Sequence, residues 1–181
     1  MCTIFFSGSR SISKLNKKIS ERISNNILNK GFSIVVGDAN GIDKAIQKLL
    51  LNKSYKNVII FCSGNTCRNN LGNWKSENIE TDAKGREFFE AKDKKMADIA
   101  DYGFVIWDGK SIGSLNNIAE LLQRDKSSLV YFKPKDEFIS ISSEENLRNL
   151  LDINSNQINN KIKNKGSIYL KKIIAPQIRL F

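Results

Sequence analysis

Five short apolar runs punctuate the first 132 residues, and amphipathic stretches separate most of them. Thr3, Ile4, Phe5 and Phe6 form the first run, closed by Ser7, Gly8 and Ser9. Residues 33–36, 57–61, 102–107 and 128–132 form the others. Each reads as a short buried strand. Between the first two, Leu15, Ile19, Ile23 and Ile27 recur four apart, which predicts a helix over residues 13–29 that ends at Gly31. Ile42, Ala45, Ile46, Leu49 and Leu50 predict a second helix, for which Asn40 is the expected cap. Phe88, Ala91, Met96 and Ile99 predict a charged helix over residues 84–100, and a fourth starts near Gly113 and runs to Gln123.

Strands that are apolar throughout are buried on both faces, as in a parallel sheet flanked by helices. The expected fold is therefore α/β, a Rossmann-like, doubly wound and mainly parallel five-stranded sheet. Right-handed crossovers give the strand order 3-2-1-4-5. Strands one and four are then neighbours where the winding reverses, and ligands bind such a crevice at the carboxyl ends of the strands. Residues 63–82 are polar and without period, so they are expected outside the core as a functional or mobile loop. Beyond Pro134 the alternation weakens. A domain at 1–133 and a C-terminal extension at 134–181 follow. In the extension, Ser142, Ser143, Glu144 and Glu145 resemble a capping box before Leu147, Leu150 and Leu151. Residues 154–165 are rich in Asn and Lys, and 167–181 carry Ile168, Leu170, Ile173, Ile174, Ile178, Leu180 and Phe181. That apolar end is read as a homo-oligomer contact.

Composition narrows the chemistry. The formal charge is +10 and there is no histidine. The charge favours anionic partners. Without histidine, acid–base work falls to Asp, Glu, Lys or Tyr, and the commonest metal ligand is missing. No metal and no cofactor are expected. Cys2, Cys62 and Cys67 follow no disulfide or zinc spacing and are read as free thiols. No leader pattern and no apolar run of membrane-spanning length is seen, so a cytoplasmic protein is expected.

Three turns carry candidate binding residues. After strand one come Ser7, Gly8, Ser9 and Arg10. Glycine admits a phosphate close to the backbone, helix-start amides donate to it, and arginine pairs with it bidentately. After strand two come Gly37, Asp38, Asn40, Gly41 and Asp43, whose carboxylates can accept from ribose hydroxyls. After strand four come Trp107, Asp108, Gly109, Lys110, Ser111, Gly113 and Ser114. This last turn is not a Walker loop, because its glycine spacing differs. The expected topology places all three along one sheet edge.

These residues, with Met96, Ala97, Asp98, Ile99, Ala100 and Asp101 ahead of strand four, resemble the SLOG superfamily. The similarity is strongest to its YspA-like branch and extends to Lonely Guy and DNA-processing protein A-type domains. It covers residues 1–132, poorly at 63–82. It implies a Rossmann-like fold that binds nucleotides or nucleotide-derived ligands. Lonely Guy-type phosphoribohydrolases carry a glutamate in the register where this chain has Asn117. An amide cannot act as that base, which turns the reading from catalysis toward capture. Asp108, Glu87, Glu90 or Asp93 are the substitute catalytic candidates. In the basic stretch where YspA-like relatives carry one, Arg86 and Glu90, four apart, are read first as a surface ion pair, and Arg86 or Lys92 is the candidate for a further phosphate contact.

The function expected from the sequence is therefore binding of an ADP-ribose-like signal, as a sensor or sequestering protein in phage–host immunity. An N-glycosidase or deoxyribosyltransferase acting on nucleotides is the alternative. A DNA-binding module ranks third, since no basic stripe interleaved with aromatics is visible. The partner expected is a nucleotide-type small molecule, with nucleic acid and membrane not expected.

Overall fold

The computed structural model describes residues 2–153 and 156–175. Its strands are β1 (Thr3–Gly8), β2 (Ser33–Gly37), β3 (Val58–Ser63), β4 (Lys75–Ile79), β5 (Tyr102–Trp107), β6 (Ser128–Phe132) and β7 (Glu137–Ile141). Its α-helices are α1 (Lys17–Asn26), α2 (Ile42–Asn52), α3 (Gly85–Ile99), α4 (Ile112–Leu122), α5 (Glu144–Asp152), α6 (Asn156–Lys165) and α7 (Ile168–Ile174).

One mixed sheet runs in the order β4-β3-β2-β1-β5-β6-β7, parallel except for β7. The sheet thus has seven strands where five were expected. The inner five, β3-β2-β1-β5-β6, stand in the expected order, and β1 and β5 pair directly. Both additions are edge strands. β4 lies within the segment expected as a loop. It pairs with β3 through its backbone, while its side chains are largely solvated, so no apolar period marks it. β7 lies in the extension and closes the other edge antiparallel to β6.

The inner strands are apolar throughout because alternate side chains enter opposite layers. Phe5, Val35 and Phe61 pack with Met96, Ala97 and Leu121 on one face. Ile4, Phe6, Ile34, Val36 and Ile60 meet Ile19, Ile23, Ile46 and Leu50 on the other. A third cluster joins Val105, Trp107, Val130 and Phe132 to α4 and to Leu147, Leu150, Ile162, Leu170 and Ile173 of the extension. Leu170 and Ile173 therefore cover their own domain, so these apolar residues require no second copy. Ile178, Leu180 and Phe181 lie outside the described residues.

Capping sets two helix starts away from the expectation. Asn16 Oδ1 accepts from the Ile19 N–H at 2.9 Å, so α1 begins after it rather than at Ser13. Ser111 caps α4, which begins at Ile112. Asn40 is not a cap; Gly41 holds that position, and the exposed Asn40 side chain accepts from Asn69. Cys62 and Cys67 are joined in a disulfide with Cα atoms 5.1 Å apart, against the expectation of free thiols. The turn after β3 folds the chain back and brings the two together, a proximity that spacing alone does not encode. Cys2 is free. Among the described residues, no helix is long and apolar enough to cross a membrane.

Candidate functional site

A cavity of about 600 Å³ opens at the carboxyl edge of the sheet, where β1 and β5 adjoin. Its centre is the turn from β1. The Ser9 N–H donates to the Ile106 carbonyl at 3.0 Å, and the Ser9 carbonyl accepts from Ile42 at 3.4 Å. These bonds tie the ends of β1 and β5 to the start of α2. A β-carbon on Gly8 would run into the Ile106 carbonyl and the Ile42 side chain. Gly41 has φ +85°, and a β-carbon there would overlap the backbone of Arg10. Glycine is needed at both positions for this close approach.

The turn after β5 is held by Asp108. One carboxylate oxygen accepts from the N–H groups of Lys110 at 2.9 Å and Ser111 at 2.8 Å, the other from Ser11 Oγ at 2.7 Å. Burial pushes its pKa up, but these donors outweigh burial and hold it below the ordinary carboxylate value. Asp108 thus shapes the loop and is not among the cavity-lining residues. Ser9 is fully buried; its Oγ accepts from the Asp108 N–H at 3.1 Å and lies 3.5 Å from Ser114 Oγ. Trp107 is a core residue whose indole N–H reaches the Ser111 carbonyl. Gly109 takes φ +78° in the same turn.

Of the candidate residues, Ser7, Gly8 and Arg10 line the cavity, as do Lys110, Ser111, Gly113 and Ser114. The first turn of α4 opens into it. Such a helix start offers backbone N–H donors and a positive dipole end to an anion.

A buried charged group forms the floor. Lys92 Nζ lies 2.8 Å from Asp93 and 3.9 Å from Asp43. Burial alone would lower the lysine pKa; Asp93 and Asp43 hold it above its ordinary value. One cation serves two carboxylates here. Asp43 is the more distant and deeply buried, and its pKa is pushed up to about 6 by burial, with Lys92 opposing. Asn117 donates to Ser7 Oγ at 2.6 Å and to Asp93 at 3.4 Å. It is a buried positioning amide. Glu90 lines the cavity but accepts from Arg86 at 2.5 Å and Asn116 at 3.2 Å. Glu87 is exposed and outside the lining.

From the second turn, Ala39 and Asp43 reach the cavity. Gly37, Asp38, Asn40 and Gly41 do not line the cavity. Asp38 is buried and paired bidentately with Arg68, whose N–H groups approach its carboxylate at 2.6 and 3.1 Å. Burial raises Asp38, but the Arg68 hydrogen bonds prevail and hold it below its ordinary value.

Four residues that sequence reading did not single out join the site. Phe89 lines the cavity, with the guanidinium of Arg10 5.5 Å and that of Arg68 4.8 Å from its ring centroid. Lys161 and Lys165 reach the lining from the extension. Their spacing of four, offset from Ile158 and Ile162, was the available signal. Arg10 and Phe89 lie 79 positions apart by their numbering, so no local pattern joins them.

The family model of DNA recombination-mediator protein A matches residues 3–140. DNA processing protein A from Helicobacter pylori, whose structure addresses its single-stranded DNA binding mode, is similar in fold. The TM-score is 0.58 at 16% identity, over 90% of this chain and 81% of that one. No curated protein matches the chain. These findings lie on the DNA-processing side of the SLOG resemblance and give no support to the YspA-like branch. They overturn the expectation of an ADP-ribose-like signal as ligand and of nucleic acid as an unexpected partner. The physical reason is that the basic and aromatic groups do not form a stripe in sequence; the fold assembles them.

Proposed function

Since the chain belongs to the DNA recombination-mediator protein A family, we propose that it binds single-stranded DNA in the carboxyl-edge cavity. The backbone phosphate sits against Ser7, Gly8 and the first turn of α4, with Arg10 and Lys110 as its charged partners. The observation that carries this reading is the association of Arg10 with Phe89 beside that turn. Arg10 and Lys110 have no carboxylate partner among the described residues, in contrast to Arg86 and Lys92. Cations free to meet phosphate beside an aromatic surface are how single strands are held without base readout. The cavity, at about 600 Å³, is of a size to take a nucleotide or two of an open strand.

Fluorescence anisotropy with a labelled oligothymidine tests this reading. Saturable binding is expected, weakening steeply with salt, and a duplex of equal length should compete poorly. The Arg10→Gln variant should lose about tenfold in affinity, with the slope of log K against log salt reduced by about 0.7 for one lost phosphate contact. No saturable binding at low salt, or an Arg10→Gln variant equal to the parent, overturns it.

A further inference from the structure

Helix α6 lies beyond the segment matched by the family model, which ends at residue 140. It nevertheless forms part of the cavity wall. Ile158 and Ile162, one turn apart, are buried in the same cluster as Leu115 and Ile118 of α4. Lys161 and Lys165, also one turn apart, line the cavity. The i, i+4 geometry of a helix turns one pair inward and carries the other to the opening.

The end of α6 is fixed. The Gly166 N–H donates to the Ile162 carbonyl at 2.7 Å, and the Ser167 N–H donates to Asn116 Oδ1 at 2.9 Å. Asn116 precedes Asn117, the amide that bonds Ser7 in the cavity floor. The extension is therefore anchored to the helix that presents the phosphate turn. Neither Lys161 nor Lys165 has a carboxylate partner among the described residues. Two exposed cations are thus held at the cavity by an apolar anchor and a backbone hydrogen bond, with no carboxylate among the described residues to satisfy them.

We propose that Lys161 and Lys165 form a second phosphate subsite, which takes the phosphodiester next to the one held at Gly8, Arg10 and Ser111. This inference rests on the single-stranded DNA reading. It makes the extension a part of the binding site and assigns α6 the role of gripping a strand with at least two consecutive phosphates. A ligand with a single phosphodiester engages the first subsite alone.

The test compares the full-length parent protein with three full-length variants: Lys161→Gln/Lys165→Gln, Lys163→Gln and Arg10→Gln. Lys163 is exposed on the same helix and is not in the cavity lining, so it controls for general charge. Circular dichroism melts establish that the variants are folded. The double variant is expected to lose about tenfold in affinity for oligothymidine and to lower the salt slope by about 0.7. It should bind the dinucleotide TpT, followed by NMR, as the parent does, and Lys163→Gln should match the parent throughout. If the double variant binds oligothymidine with unchanged affinity and slope while Arg10→Gln is impaired, the second subsite is wrong and the first stands. If Lys163→Gln loses as much as the double variant, the effect is general charge and the subsite is again wrong. If the parent itself does not bind oligothymidine, the underlying reading fails and this inference with it.

Discussion

Arg68 closes over Asp38 with two hydrogen bonds from its guanidinium and a third, at 3.0 Å, from its own backbone N–H. The carboxylate is 1% exposed, whereas the arginine side chain is 37% exposed. This pair fastens the polar segment after β3 to the turn after β2. It also fixes the guanidinium beside Phe89.

Loss of that arginine leaves a buried carboxylate without its partner. Arg68→Ala is expected to destabilise the fold by about 2 kcal/mol, below the cost of breaking a fully buried pair because solvent screens the exposed guanidinium. The Asp38 pKa lies below its ordinary value in the folded protein. Its stabilising contribution is therefore present at neutral pH and is lost as pH falls through the depressed folded value. Urea melts at pH 7 and pH 3 check both points: the gap between parent and variant should narrow in acid.

Asp43 behaves in the opposite sense. Its folded pKa of about 6 is above the unfolded value. Its contribution to stability is complete below the unfolded value and is lost as pH rises through about 6. The same proton changes the cavity. Above that pH Asp43 adds a carboxylate charge to the floor beside Lys92, and below it that charge is absent. A phosphodiester should bind more tightly below pH 6, by about fivefold. Thymine has no group that titrates in this range and the chain has no histidine, so oligothymidine binding between pH 5 and 7.5 reads this group. In Asp43→Asn the pH dependence should vanish. A parent protein whose affinity is flat across that range would refute the assignment.

Gly41→Ala puts a β-carbon into the Arg10 backbone at a residue with φ +85°. The expected cost is about 1–3 kcal/mol in stability. Because Arg10 must move, DNA affinity should also fall. Gly31→Ala is the informative comparison: that glycine also has positive φ, but its β-carbon would meet nothing within 4 Å. It should lower stability while leaving binding intact.

The disulfide can be checked by chemistry alone. The unreduced protein, denatured in the presence of a thiol reagent, should react at one cysteine, Cys2, and at all three after reduction. Closing so short a loop restricts the unfolded chain modestly, so reduction should lower stability by about 2 kcal/mol. Equal thiol counts with and without reductant would exclude the bond.

The apolar runs of β1, β2, β3, β5 and β6 determined the inner sheet and its winding without help from the structure, because each is buried on both faces and the crossover rule leaves few topologies. The position of the turns that end β1 and β5 was legible as well: Gly8, Lys110, Ser111, Gly113 and Ser114, expected along one sheet edge, all line the cavity there. What the sequence could not determine depends on contacts between distant segments. β4 is held by backbone pairing at an edge, which leaves no pattern in Lys75–Ile79. Cys62 and Cys67 meet only because the turn after β3 folds back. Asp38 reads as a ligand group in sequence, yet the structure turns it toward Arg68 and away from the cavity. Phe89 stands beside the Phe88, Ala91, Met96 and Ile99 pattern of its helix and carries no signal of its own until Arg10 and Arg68 arrive beside its ring. Lys161 and Lys165 belong to a run of Asn and Lys that looks merely solvated; packing of Ile158 and Ile162 against α4 is what brings them to the cavity. Periodicity reports which face of an element is buried. Only tertiary packing decides which charged group, from which part of the chain, stands next to it.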